Sequence, residues 1–152
     1  MMTSGPACCA DNSLLPLSDK RRMVLVAAAL LIDDQNRVLL AQRPPGKPMA
    51  GMWEFPGGKV NQGELPEFAL VRELHEELGI ETQPGCLQPM TFASYAYPDF
   101  HLFMPVYACR IWQGTPHPRE GQKLAWVPKR EWKNYPMPPA DDKILPILFE
   151  ML

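Results

Sequence analysis

Three glutamates lie close enough together to do chemistry as a group. Glu73, Glu76 and Glu77 fall within five residues, directly after Arg72, and a fourth carboxylate, Glu64, closes the glycine-rich stretch "GGKVNQGE" that precedes them. On a helix, residues three and four apart share a side, so all three glutamates would project in roughly one direction. Like charges at that spacing weaken an isolated helix. Two accounts meet this cost. The face is solvated, as charge runs usually are, or a cation sits against it. A hard divalent ion such as Mg²⁺ takes oxygen ligands and uses one or two carboxylates together with substrate phosphates. Glutamates on a rigid helix beside the open carbonyls of a glycine turn would suit it, with Arg72 orienting one carboxylate.

The flanking sequence supplies elements to hold such a group. Phe68, Val71, Leu74 and Leu78 recur at three- and four-residue steps and predict an amphipathic helix from Leu65. Pro66 falls in its first turn, where a missing N–H costs nothing, and Gly79 suits its C-terminal cap. Upstream, "RMVLVAAALLID" and "RVLLAQR" flank the turn "DDQN" and predict a hairpin of buried strands. "MWEF" reads as a short strand and "PGGKVNQGE" as a turn-rich connection. Downstream, "CLQPMTFASYAY", "HLFMPVYACRIW" and "KLAWVP" read as strands, "KREWKN" as a short helix, and "DDKILPILFEML" as a terminal helix. Irregular alternation of strands and helices predicts an α/β layer fold with a mixed sheet.

Composition narrows the classes. The chain has 152 residues and a net charge of −2, so one domain is expected and nothing calls for a nucleic-acid polymer or an anionic membrane. No apolar stretch is long enough for a transmembrane helix. Residues 1–22 read as a flexible tail without the order of a signal peptide, and residues 23–152 as the domain. Cys8, Cys9, Cys86 and Cys109 have no metal-ligand spacing and read as free thiols in a reducing cytoplasm.

Gly58, Glu64, Arg72, Glu73, Leu74, Glu76, Glu77, Gly79 and Ile80 together fit G-x5-E-x7-R-E-U-x-E-E-x-G-U, with U a bulky aliphatic. The stretch resembles the Nudix box at every specified position. The resemblance implies a Nudix-type α/β/α sandwich around a mixed β-sheet, with the box as a loop–helix–loop. It implies hydrolysis of nucleoside diphosphates linked to another moiety, with Mg²⁺ as cofactor and Mn²⁺ as a substitute. It also implies site roles. Glu73, Glu76 and Glu77 would be metal ligands or the base, with Glu73 the first choice for the base. The carbonyl of Gly57 would be a further ligand. Glu64 and Arg72 would hold the loop–helix shape.

Outside the box the chain is similar to the MutT-like branch, whose members act on oxidised purine nucleoside triphosphates such as 8-oxo-dGTP. "QRPPGKPMAGMWEFPGGK" places Arg43 as a phosphate contact and Phe55 near the base. By the same likeness "YPDFH" would bring Tyr97 and Asp99 to the base pocket, "EGQ" would supply Glu120 as a late acidic metal ligand, and "MPPADD" would be the base-reading segment. Taken singly, Arg43 is a solvated cation, Tyr97 a core aromatic and Glu120 a wet loop residue. Two positions depart from the branch. Asp141 stands where the branch places an amide, and Pro48 where it has a pocket histidine. Both bear on base specificity rather than on chemistry.

The expectation is therefore a monomeric, cytoplasmic, Mg²⁺-dependent hydrolase acting on a small nucleotide, with 8-oxo-dGTP converted to 8-oxo-dGMP and pyrophosphate in nucleotide-pool sanitation. A pyrophosphohydrolase of CTP or modified pyrimidine triphosphates is the nearest alternative. A non-catalytic Nudix-like binding module is the alternative of a different class, disfavoured by the intact box.

Overall fold

The computed structural model describes residues 20–152. The expected tail, with Cys8 and Cys9, lies outside the described residues except for its last three positions. Seven strands and two helices follow in the order β1 (Met23–Leu31), β2 (Arg37–Gln42), β3 (Trp53–Glu54), β4 (Gly57–Lys59), α1 (Pro66–Leu78), β5 (Leu87–Ala96), β6 (His101–Cys109), β7 (Lys123–Pro128) and α2 (Pro139–Met151). Short 3-10 turns cover Pro84–Cys86 and Lys129–Asn134.

The strands form two sheets. One is mixed, in the order β4-β1-β6-β5, with β1 parallel to β6 and the other pairs antiparallel. The second, β3-β2-β7, is antiparallel. Strand β1 explains its own composition. Ala28, Leu30 and Ile32 face one apolar core, which includes Ile144 and Leu148 of α2. Ala27, Ala29 and Leu31 face another, which includes Leu70, Leu74 and Leu78 of α1. A strand buried on both faces reads as a continuous apolar run rather than an alternation. The helices thus cover opposite faces, giving the expected α/β/α layering.

The hairpin predicted for the first two strands is not formed. A turn closes after β1, with Asn36 N–H donating to the Asp33 carbonyl at 3.0 Å, but the strands share a single bridge, Ile32 to Val38. They then diverge, β1 into the mixed sheet and β2 into the other. Apolarity on both faces says that each strand is covered, not which neighbour pairs its edge. The glycine connection also holds more structure than a turn. Gly57 to Lys59 pair with Ala28 to Val26 of β1. A Cβ on Gly57 would collide with the carbonyl oxygen of Ala27, so glycine is needed for β4 to approach this closely.

Helix α1 begins with Pro66 and ends on Gly79 in the left-handed region (φ 70°), whose N–H donates to the His75 carbonyl. Its buried residues are Ala69, Leu70, Leu74 and Leu78. Phe68 is 54% exposed, so the docking face is rotated from the one the spacing suggested. Helix α2 starts two residues before the predicted "DD", at Pro139.

Candidate active site

Arg72 organises the box. Its Nε and one terminal nitrogen grip the two oxygens of Glu64 at 3.1 and 3.0 Å, the bidentate geometry that makes such pairs strong. The other terminal nitrogen donates to Glu73 at 2.8 Å and reaches Glu76 at 3.5 Å, and a further bond runs to the Lys59 carbonyl at 3.2 Å. Glu64 also accepts from the Asn61 N–H at 3.1 Å, and Arg72 holds its carboxyl below the ordinary range. One guanidinium thus ties the glycine turn, strand β4 and the helix together. Gly58 makes room for this arrangement, because a Cβ there would land on the Glu73 carboxylate.

Glu77 differs from its neighbours. It turns inward, lining a cleft of about 480 Å³, while Glu76 stays at the surface beside Arg72. Burial pushes the Glu77 carboxyl up to about 8, with the charges of Glu73, Glu120 and Glu54 adding to the rise and a hydrogen bond from Gly57 opposing it. Glu120, also on the cleft wall, stands in an exposed stretch between β6 and β7.

The far end of the cleft is apolar. Tyr97, only 8% exposed, stacks on Phe100 at 5.1 Å, and its hydroxyl accepts from the Ala140 N–H at 3.2 Å in the first turn of α2. The next residue, Asp141, is the buried charged residue of the described core, 5% exposed. Its carboxylate accepts a long 3.4 Å hydrogen bond from the Phe55 N–H. Burial pushes Asp141 up to about 7, and Glu54 rather than Asp142 is the carboxylate that adds to the rise. The N-cap residue Pro138 makes no side-chain cap bond, the Ala140 N–H is met by the Tyr97 hydroxyl, and the Asp141 carboxylate reaches out of the helix to Phe55. Arg43 lies between the two ends. It pairs with Glu54 at 3.0 Å and donates to the Pro48 carbonyl at 3.1 Å. The cleft therefore gathers Arg43, Phe55, Gly57, Glu77, Tyr97, Glu120 and Asp141. Glu73 stands behind Gly58, and Glu64 and Arg72 support the helix. Asp99 is exposed in the turn between β5 and β6, and Phe100 takes the place on the cleft wall.

The donor set suits a hard divalent cation. Among the described residues, no three acidic or imidazole side chains close into a metal cage. Mg²⁺ asks for less than a cage, since it keeps waters and borrows substrate phosphates. Glu77, raised by burial first and then by the charges of Glu73, Glu120 and Glu54, is a carboxyl whose ionised form a nearby cation would favour.

The NUDIX domain model matches residues 27–146. The chain belongs to the Nudix family. It is a Nudix hydrolase, and its likeness to the MutT-like branch extends over most of its length. It is 33% identical over 120 residues to the 8-oxo-dGTP diphosphatase of Escherichia coli K12, covering 79% of this chain and 92% of that protein. It is 38% identical over 134 residues to the CTP pyrophosphohydrolase of the same organism, covering 82% and 90%. Its fold matches a structure from work on MutT of Aliivibrio salmonicida and Vibrio cholerae, with a TM-score of 0.72, 32% identity and coverage of 86% of this chain and 100% of that one. The solution structure of the E. coli ORF135 protein matches with a TM-score of 0.75 at 34% identity, covering 86% and 91%.

Sequence reasoning passed over one Nudix-site carboxylate. Glu54, in β3, touches both ends of the cleft: it pairs with Arg43 and raises both Glu77 and Asp141. Nothing local marked it: Glu54 and Phe55 are adjacent and both line the cleft, which only the folded chain brings to Glu77 and Asp141.

Proposed function

We propose that this Nudix hydrolase converts 8-oxo-dGTP to 8-oxo-dGMP and pyrophosphate with Mg²⁺, Mn²⁺ substituting, and that it also accepts cytidine triphosphates. It would act as a cytoplasmic monomer in nucleotide-pool sanitation. One observation carries the reading: a single cleft joins a buried, titratable carboxyl, Asp141, to a cluster of carboxylates around Glu77. The base lies at the Asp141 end, against Tyr97 and Phe55. Arg43 meets the phosphates, trading part of its bond to Glu54 for them. Glu73, Glu76, Glu77, Glu120 and the Gly57 carbonyl hold the cation, and Glu73 orients or deprotonates the attacking water. The bound ion supplies charge neutralisation of the polyphosphate and activation of water. Beyond that, phosphoryl transfer asks mostly for positioning.

The second base follows from Asp141. Oxidised guanine presents O6 as an acceptor and N7–H as a donor. An ionised carboxylate only accepts, whereas its protonated form also donates. A carboxyl poised near neutrality can therefore read the mixed edge of oxidised guanine when protonated and the 4-amino group of cytosine when ionised. The likeness to a CTP pyrophosphohydrolase supports the cytosine arm. The test is a substrate panel with wild type and Asp141→Asn. Asn offers a donor and an acceptor at every pH. The wild-type ratio of kcat/KM for 8-oxo-dGTP over dCTP should fall as pH rises through about 7, the Asp141 value. The variant should show a higher and pH-independent ratio. An unchanged ratio would remove the base-reading role.

A further inference from the structure

Glu120 is exposed, and it lies in a stretch without regular structure, yet the proposed site needs it within reach of Glu77. The structure shows how that stretch is tied down. The last four carbonyls of a helix have no partner within it. Residues 114–122 cover three of those of α1. The His117 N–H donates to the Leu78 carbonyl at 3.1 Å, and the Arg119 N–H to the Glu77 carbonyl at 3.1 Å. The Arg119 guanidinium donates to the His75 carbonyl at 3.0 Å, placing positive charge at the negative end of the helix. The His117 ring occupies the space that a side chain at position 79 would take. Gln122 does something different. Its Nε2 donates to the Glu77 carbonyl at 3.1 Å, and its Oε1 accepts from the Glu120 N–H at 2.8 Å. One side chain thus bridges the backbones of two cleft carboxylates that lie 43 residues apart in the chain.

We propose that Gln122 is a positioning residue that sets the separation of Glu120 from Glu77, and with it the affinity of the site for its cation. Arg119 and His117 anchor the loop on the helix end, and Gln122 aims its carboxylate. The inference rests on Glu77 and Glu120 being cation ligands, as proposed above.

The test uses full-length protein without nucleotide, titrated with Mn²⁺ by calorimetry, in wild type, Gln122→Met, Glu120→Gln and the double variant. Met preserves much of the volume of Gln122 and removes both hydrogen bonds. Gln122→Met should weaken Mn²⁺ binding about tenfold, the low end of what outer partners of metal ligands cost. The double variant should bind no more weakly than the worse single one, because both changes act through one carboxylate. Amide exchange followed by NMR should accelerate at Glu120 in Gln122→Met, since that N–H loses its acceptor. If Gln122→Met lowers only the melting temperature and leaves Mn²⁺ affinity unchanged, Gln122 is a helix cap and the inference fails alone. Additive losses in the double variant would equally overturn it. If Glu120→Gln itself leaves Mn²⁺ binding unchanged, the ligand assignment fails and takes the inference with it.

Discussion

Replacing Glu77 by glutamine should make the metal-free protein more stable, and the gain should grow with pH. Folding raises this carboxyl from 4.5 to about 8. Between those values the folded protein retains a proton that the unfolded chain has released. Stability changes with pH in proportion to protons bound in the unfolded minus the folded state, so here it falls as pH rises. At about 1.4 kcal/mol per pH unit, the loss between pH 4.5 and neutrality reaches about 3 kcal/mol. Glutamine has the same shape and no titration, so the variant escapes this loss. Asp141 adds a similar slope in both proteins, and the difference between the two curves isolates Glu77. The assay is urea unfolding in EDTA across the range from about pH 5 to pH 8. The stabilities should be close at the acid end and separate by roughly 3–4 kcal/mol at the alkaline end, with the variant above. Saturating Mg²⁺ should stabilise the wild type and act weakly on the variant, because only a ligand that prefers the folded state shifts the equilibrium. Parallel curves in EDTA would refute the account of Glu77 as a carboxyl raised by burial and by its acidic neighbours.

The adjacent glycines Gly57 and Gly58 should fail differently when changed to alanine. Gly57→Ala would strike the β1 backbone and should lower the melting temperature sharply, whereas Gly58→Ala would displace only the Glu73 carboxylate and should abolish most turnover with the fold intact, as circular dichroism and kcat together would show. Arg72→Lys keeps the charge but loses the fork on Glu64, so it should cost about 1–3 kcal/mol in urea unfolding and a larger factor in kcat. The likeness to the MutT-like branch implies attack at the β-phosphorus, so hydrolysis in oxygen-18 water should place the label in pyrophosphate. Label in the monophosphate, read by mass spectrometry, would move the attack to the α-phosphorus.

The parts legible in the sequence were those governed by local spacing. Glu64, Arg72 and Glu73 form a helix-and-turn unit closed within a few residues, with Arg72 bonded to both carboxylates. Strand β7 and the cap at Gly79 were likewise readable from turn chemistry and apolar runs. The misreadings came from long-range pairing. Nothing in "MVLVAAALL" says that its neighbours are β4 and β6 rather than β2, because a strand apolar on both faces has no preferred partner written into it. Phe68 fits a helical apolar stripe, yet it stays exposed, and Leu70 docks instead. Glu54 and Gln122 gained their importance from residues tens of positions away, through a cleft that exists only once the two sheets are set against each other.

The separation of the molecule into two apolar cores has a bearing on how this protein could change. The box glutamates, proposed above to hold the cation, ride on the core under α1, while Asp141 rides on the core under α2. β1 keeps the two apart by giving alternate side chains to each. If Asp141 reads the base as proposed, substitutions that repack the α2 side would reshape which nucleobase is admitted without shifting the helix that carries the glutamates. A lineage could therefore drift from one nucleotide to another while its hydrolytic apparatus stays fixed, and a library confined to α2 and the turn before it would explore substrate choice at little risk to turnover.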